Sequence, residues 1–331
     1  MTEILEGPEA IVAALARLGL GEPIAFPTET VYGLGADALD EDAVERIFTL
    51  KGRPSENPLI VHVSDPEMAR DLVTEWTADA QRLADAFWPG ALTLVLNKSE
   101  LVPDVVTAGG PTVAIRCPAH PIALGLIESL GKPIVGPSAN PSGWISPTTA
   151  DHVAQGFSEE DLLVIDGGPC RAGIESTVLD LTAQEPRILR PGVISHTQIA
   201  RVLEKEVSYA EHTVGPESGI TASPGVLGAH YQPKKSTKLV ESADLSDAGV
   251  DTYVIAWSVD RVESTAHFSV LASDPEGFAR GLYAALHAGD ASEASEIWIE
   301  RPPESTDDRE GGSEADSLWS AIKERLGRAC R

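Results

Sequence analysis

Short apolar runs and amphipathic stretches alternate along most of this chain, and that alternation constrains its fold more than any other feature. Residues 24–26, 59–63, 92–96, 113–115, 134–135, 162–165, 177–179 and 188–189 are brief apolar runs that read as strands. Helical patterns fit between several of them. Residues 42–50 place Val44, Ile47 and Phe48 on one face, and residues 121–130 and 197–203 repeat the period, each behind a plausible start signal. Residues 1–205 therefore predict an α/β domain with a twisted, mixed sheet. Residues 206–240 turn polar and rich in Gly, Pro and Ser, which predicts a linker. Residues 241–331 resume a β-α-β-α pattern: strands at 252–256 and 297–299, helices at 275–287 and 317–328. That suits a small Rossmann-like domain, in which the charged, Pro-containing stretch 301–315 is expected to be a mobile loop.

The 331 residues, 42% hydrophobic and 23% charged, suffice for two cores. Charge narrows the function. With 51 Asp and Glu against 25 Lys and Arg, a net charge of −26 argues against electrostatic attraction to a nucleic-acid backbone as the main activity. The few cations are expected where anions must be held. No apolar run approaches the roughly 18 residues of a membrane span, and the start lacks the basic head and apolar stretch of a signal peptide, so a cytoplasmic protein without membrane contact is expected. Cys117, Cys170 and Cys330 show no metal or redox spacing; the first two read as small buried hydrophobes.

The cations gather in a few segments. KGRPSENP, starting at Lys51, sets Lys51 and Arg53 before a turn, where they form either an anion clamp or a solvated pair at a helix end. Asn57 can contact phosphate or ribose, or simply bond its own backbone. GPSANPSG, starting at Gly136, follows an apolar run and can line a phosphate cradle or form ordinary turns. Arg190 lies between Leu189 and Pro191. Arg116 directly follows the 113–115 strand, where a planar guanidinium suits a carboxylate ligand or a structural ion pair. Two nucleotide motifs fail on inspection. GLGADA from Gly33 imitates a dinucleotide fingerprint without a clear acidic ribose partner, and residues 125–132 resemble a P-loop one residue too long, followed by Pro133. No catalytic triad, carboxylate pair or metal-ligand cluster stands out.

PTETVYG from Pro27, the Lys51 segment, GPSAN from Gly136 and IESTV from Ile174 occur in the order typical of threonylcarbamoyl-AMP synthases, which this chain resembles. SPGVLGAHY, ending at Tyr231, is similar to the linker of the long, two-domain form. The resemblance implies a YrdC-like catalytic domain and an enzyme that joins L-threonine and bicarbonate or CO2 to the AMP of ATP. The product would serve the tRNA threonylcarbamoyladenosine modification. Residue by residue, it implies ATP contacts from Arg53, Asn57, Thr112, Ser138, Ser146, Arg190, His230 and Tyr231, with Lys51 and Arg53 at the phosphates. It implies threonine contacts from Thr30, His62, Arg116 and Ser176, with a backbone contact from Gly136. Mg2+ would accompany ATP, and the product would pass to a tRNA threonylcarbamoyl transferase complex. Tight direct tRNA binding is not expected. The linker would act as a lid, and the rival reading is an RNA-binding module without turnover.

Overall fold

The computed structural model describes residues 1–210, 231–265, 267–304 and 313–330. Fifteen strands among them form two sheets. The larger holds β1 (Glu3–Glu6), β2 (Ile24–Phe26), β3 (Gly33–Asp37), β4 (Ile60–His62), β5 (Leu92–Asn97), β6 (Thr112–Arg116), β7 (Ile134–Val135), β8 (Leu163–Asp166), β9 (Thr177–Asp180), β10 (Arg187–Arg190) and β11 (Ser208–Tyr209). Their spatial order is β1-β8-β2-β3-β7-β4-β6-β5-β9-β10-β11. Parallel pairs such as β4 with β6 mix with antiparallel pairs such as β5 with β6. The smaller sheet, β12 (Ser236–Val240), β13 (Thr252–Ala256), β14 (Phe268–Val270) and β15 (Glu296–Glu300), is parallel throughout in the order β12-β15-β13-β14. The α/β class and the mixed first sheet match the sequence-based expectation.

The helices begin and end where the local chemistry dictates. Asp40 caps the helix Glu41–Lys51 by accepting from the Ala43 N–H, and Gly52, at φ 58°, ends it in the left-handed region that glycine adopts without steric cost. That stop sets Lys51 as the last helical residue and starts the loop of Arg53 that leads to β4. Ser195 and Gln198 form a reciprocal capping box on His196–Leu203, and Ser313 with Asp316 forms another on Glu314–Ala329.

Two expectations need correction, and β3 adds to the expected strands. In Gly33–Asp37 a Cβ on Gly33 or Gly35 would lie 2.9 Å or 3.1 Å from the Phe26 ring. The glycines there serve β2–β3 packing. Residues 206–240 are not all tether, since β11 pairs with β10 and β12 opens the second sheet. Glu314 and Ala315 belong to the last helix rather than to a loop. Of the expected linker, residues 211–230 lie outside the described residues, as do residues 305–312 of the expected 301–315 loop.

The two halves of the chain share a core. Val31, Ile145 and Ile174, from loops of the first half, pack in one apolar cluster with Tyr253 of β13 and with Phe278, Leu282, Trp319 and Ile322 from the two helices of the second. Burying so continuous an apolar seam at roughly 25 cal/mol per Å2 favours a fixed arrangement over two independent bodies.

Candidate active site

A cleft open to solvent lies beside the ends of β4, β6 and β9. Arg53, His62, Arg116, Gly136, Ser138, Ser176, Arg190, Thr30 and Tyr231 all line it. Nine of the expected site residues, scattered over two hundred positions, thus converge.

One end offers a cation beside small hydroxyls. Arg116 at the end of β6 is 4% exposed and pairs with Glu29 at 2.6 Å. Its Nη1 donates to Thr30 Oγ1 at 2.9 Å and its Nε to the Gly90 carbonyl at 3.1 Å. Of the two sequence readings of Arg116, the structural ion pair is present, and the same residue lines the cleft. Glu29 accepts the Ala119 N–H through its other oxygen. His62 sits opposite, and burial, then the Arg116 charge, lowers its pKa to about 3, so its ring stays neutral. Its buried Nδ1 has no hydrogen-bond partner among the described residues. A Cβ on Gly136 would fall 2.5 Å from that ring, so glycine alone lets the imidazole keep this position. Ser176 is fully buried and shares a 2.8 Å hydrogen bond with Thr93.

The other end is guanidinium-rich. Burial, then the Arg190 charge, lowers the pKa of Arg53 to about 10, which still leaves it cationic at neutral pH. Arg53 is steadied by the Asn57 and Pro58 carbonyls, and Arg190 donates to the Ser176 carbonyl and hydroxyl at 3.0 and 3.1 Å. Two partly desolvated cations facing one space repel each other, and an anion between them relieves that repulsion. Tyr231 closes this end. It is 4% exposed, stacks on Tyr283 at 5.6 Å and adopts φ 66°, a conformation that costs a non-glycine residue of order 1–3 kcal/mol. The next residue, Gln232, bonds Gly143 and so fixes the ring against the first sheet's loops.

Lys51, Asn57, Thr112 and Ser146 lie outside the lining of this cleft. Lys51 is buried and donates from Nζ to the Ser138 carbonyl and, at 2.6 Å, to the Asn140 carbonyl. Burial, then Arg53, holds its pKa well below the usual lysine range. The expected phosphate clamp therefore anchors the GPSAN loop. Thr112 starts β6, four residues from Arg116 at the other end of the strand. Ser146 reaches the cleft through Glu175, to which it donates at 2.7 Å. His230 lies outside the described residues.

Sequence reasoning missed Glu29, Glu175, Tyr283 and Arg325. Glu29 and Glu175 stood inside quoted motifs; Arg325 carried a subtler signal, an arginine on the apolar stripe Leu318, Ile322, Arg325, Ala329 of an amphipathic helix. Among the described residues no group of three or more His, Cys, Asp or Glu is arranged to hold a metal ion, and no helix is long and apolar enough to cross a membrane. Glu175, which also lines the cleft, is engaged by Ser146, Tyr283 and Arg325.

Known proteins share this architecture. Residues 17–192 match the Sua5/YciO/YrdC family described as telomere recombination, and residues 194–330 match the threonylcarbamoyl-AMP synthase C-terminal domain. The threonylcarbamoyl-AMP synthase of Bacillus subtilis is 39% identical over 319 residues, covering 91% of this chain and 90% of that one. The chain belongs to the threonylcarbamoyl-AMP synthase family. A Pyrococcus abyssi relative of the same name is 51% identical over 67% of this chain, an alignment that spans 65% of that relative. The crystal structure of P. abyssi Sua5 complexed with L-threonine is similar at TM-score 0.86 and 38% identity, over 100% of this chain and 97% of that one. Family membership accounts for both domains, since the second match runs to the last helix.

Proposed function

We propose that the protein is an L-threonylcarbamoyladenylate synthase, a nucleotidyltransferase that condenses L-threonine, bicarbonate or CO2, and ATP to threonylcarbamoyl-AMP and pyrophosphate. The observation that carries this reading is the polarity of the cleft, with one carboxylate-sized arginine site beside hydroxyls and a neutral imidazole, and a pair of opposed guanidiniums at the other end. A relative of similar architecture binds L-threonine, which supports the assignment of the first end.

In this reading Arg116 receives the threonine carboxylate, while Thr30, His62, Ser176 and the Gly136 backbone surround its hydroxyl, methyl and amine groups. The amine adds to CO2 and loses a proton, giving a carbamate. One carbamate oxygen then attacks the α-phosphorus of ATP, and the bond to the β-phosphate bridging oxygen breaks with release of pyrophosphate. The carbamate is already anionic, so the chain's task is orientation and charge neutralisation. Arg53 and Arg190 neutralise phosphate charge, Ser138 and Tyr231 border the nucleotide, and Lys51 fixes the loop that carries Ser138. Asn57 and Ser146 support these groups from behind, and Thr112 belongs with ATP by family resemblance alone. Mg2+ bound to ATP supplies charge neutralisation on the departing pyrophosphate. The product, formed in the cytoplasm, would pass to a tRNA threonylcarbamoyl transferase.

The test is pyrophosphate release by the purified chain. Release that requires ATP, threonine and bicarbonate together is the expected outcome; RNA retention without any turnover would overturn the reading.

A further inference from the structure

Glu175 is the anomalous group in a cleft suited to anions. It is 7% exposed and lines the cleft, where an uncompensated carboxylate would repel a phosphate. Its oxygens accept from Ser146 at 2.7 Å, from Tyr283 at 3.0 and 3.2 Å, and from Arg325 Nε at 3.1 Å. Tyr283 and Arg325 stand on the helices Pro275–Ala291 and Glu314–Ala329 that pack on the second sheet. The second half of the chain thus reaches into the wall of the site.

Arg325 is 1% exposed, and its Nη1 also donates to the Pro191 carbonyl at 2.6 Å, one residue beyond Arg190. A single guanidinium therefore grips both the acid of one wall and the backbone beside the cation of the other. The walls touch there, since a Cβ on Gly192 would overlap the backbone of residues 175–177. Glu324 also pairs with this guanidinium at 3.0 Å and is bound in turn by Arg328, so Arg325 sits between two acids, of which Glu175 is the one that lines the cleft.

We propose that Arg325 is a positioning residue for the nucleotide half of the site, cancelling the charge of Glu175 and holding the Pro191 turn so that Arg190 stays aimed into the cleft. The inference rests on the function proposed above. It gives the second domain a defined part in the reaction, because without Arg325 the wall facing the triphosphate would carry a buried carboxylate with hydrogen-bond donors but no paired cation. An effect of that size falls on the anionic ligand and spares the neutral zwitterion at the Arg116 end.

Calorimetry on the full chain with a non-hydrolysable ATP analogue and, separately, with L-threonine tests this. R325M should weaken analogue binding by on the order of tenfold, from repulsion across a partly desolvated gap, raise the KM for ATP more than it lowers kcat, and leave threonine affinity within about twofold. The double variant E175Q/R325M, which removes both charges, should recover most of that loss, and R325K, which keeps the charge without the fork, should lose less than R325M. Equal losses for both ligands, unchanged analogue binding, or no recovery in the double variant would overturn the inference. If R325M does not fold, the double variant and R325K decide by the same criteria. A parent protein that binds neither ligand would instead sink the proposed function, an outcome separable from all of these.

Discussion

At the scale of single residues, several site groups do two jobs at once, and substitutions expose the division. Arg116 holds Glu29 and Thr30 while presenting charge to the cleft. Arg116→Lys keeps the charge but loses the planar fork, so threonine binding should weaken by about 1–3 kcal/mol while ATP binding changes little. Calorimetry with each ligand checks it, and equal losses would indicate a disturbed fold. Lys51 serves two carbonyls of the GPSAN loop. Lys51→Ala should therefore cut pyrophosphate formation much more than threonine affinity, and wild-type turnover in that variant would refute its role. Arg116 was legible in the sequence as a cation at a strand end and Lys51 as one at a helix end. What each one touches was not, because a hydrogen-bond partner eighty or more positions away leaves no local pattern. Glu175 hid for the same reason: an acid inside a motif reads as surface until its buried partners are known.

At the scale of elements, the strands with apolar runs were readable, and those with glycines or an edge position were not. β3 looked like a phosphate turn because its Gly33 and Gly35 answer to the Phe26 ring, a tertiary demand that composition cannot display. The helix Gly7–Gly19 was passed over despite Pro at its first turn, Glu9 near its start and Arg17 near its end. Another tertiary element is a histidine pair between two helices: His152 on Ala150–Gly156 stacks on His287 of Pro275–Ala291, with ring centroids 3.9 Å apart and planes within 12°. Burial lowers their pKa values to about 4 and about 3, the His152 charge adding to the latter. The unfolded chain, titrating near 6.5, binds more protons below that pH, so stability should fall as pH drops from about 6.5 toward 4. His287→Phe keeps a stacked ring and removes one titration. Its melting temperature should start lower at pH 7.5, having lost the bond to the Ser146 carbonyl, yet decline less between pH 7.5 and 5 than that of the parent. Parallel declines would show that the pair does not set the acid limit.

At the scale of the whole molecule, the two-domain pattern was evident from the polar break, whereas the tight coupling of the halves was not, since it depends on a shared apolar seam and on Tyr231. That residue lies where the chain passes from one sheet to the other. Its strained φ, its stack on Tyr283 from the second half and the Gln232–Gly143 bond to the first make it the joint of the assembly as well as a wall of the cleft. Burial, then the nearby Glu175 charge, raises its pKa to about 12, so the phenol remains neutral and can donate to a phosphate or ribose oxygen. Tyr231→Ala removes a buried aromatic ring and should cost about 3–5 kcal/mol of stability, the range for truncating a packed aromatic side chain to alanine. The same change opens the nucleotide end to water. Affinity for an ATP analogue should fall and the threonylcarbamoyl adenylate should escape or hydrolyse sooner, while threonine affinity holds. Tyr231→Phe separates the two effects, because it preserves the stack and deletes the hydroxyl: stability near the parent with weakened nucleotide binding would assign the donor role to the hydroxyl. Parent-like affinity and product lifetime in both variants would leave Tyr231 a purely structural joint.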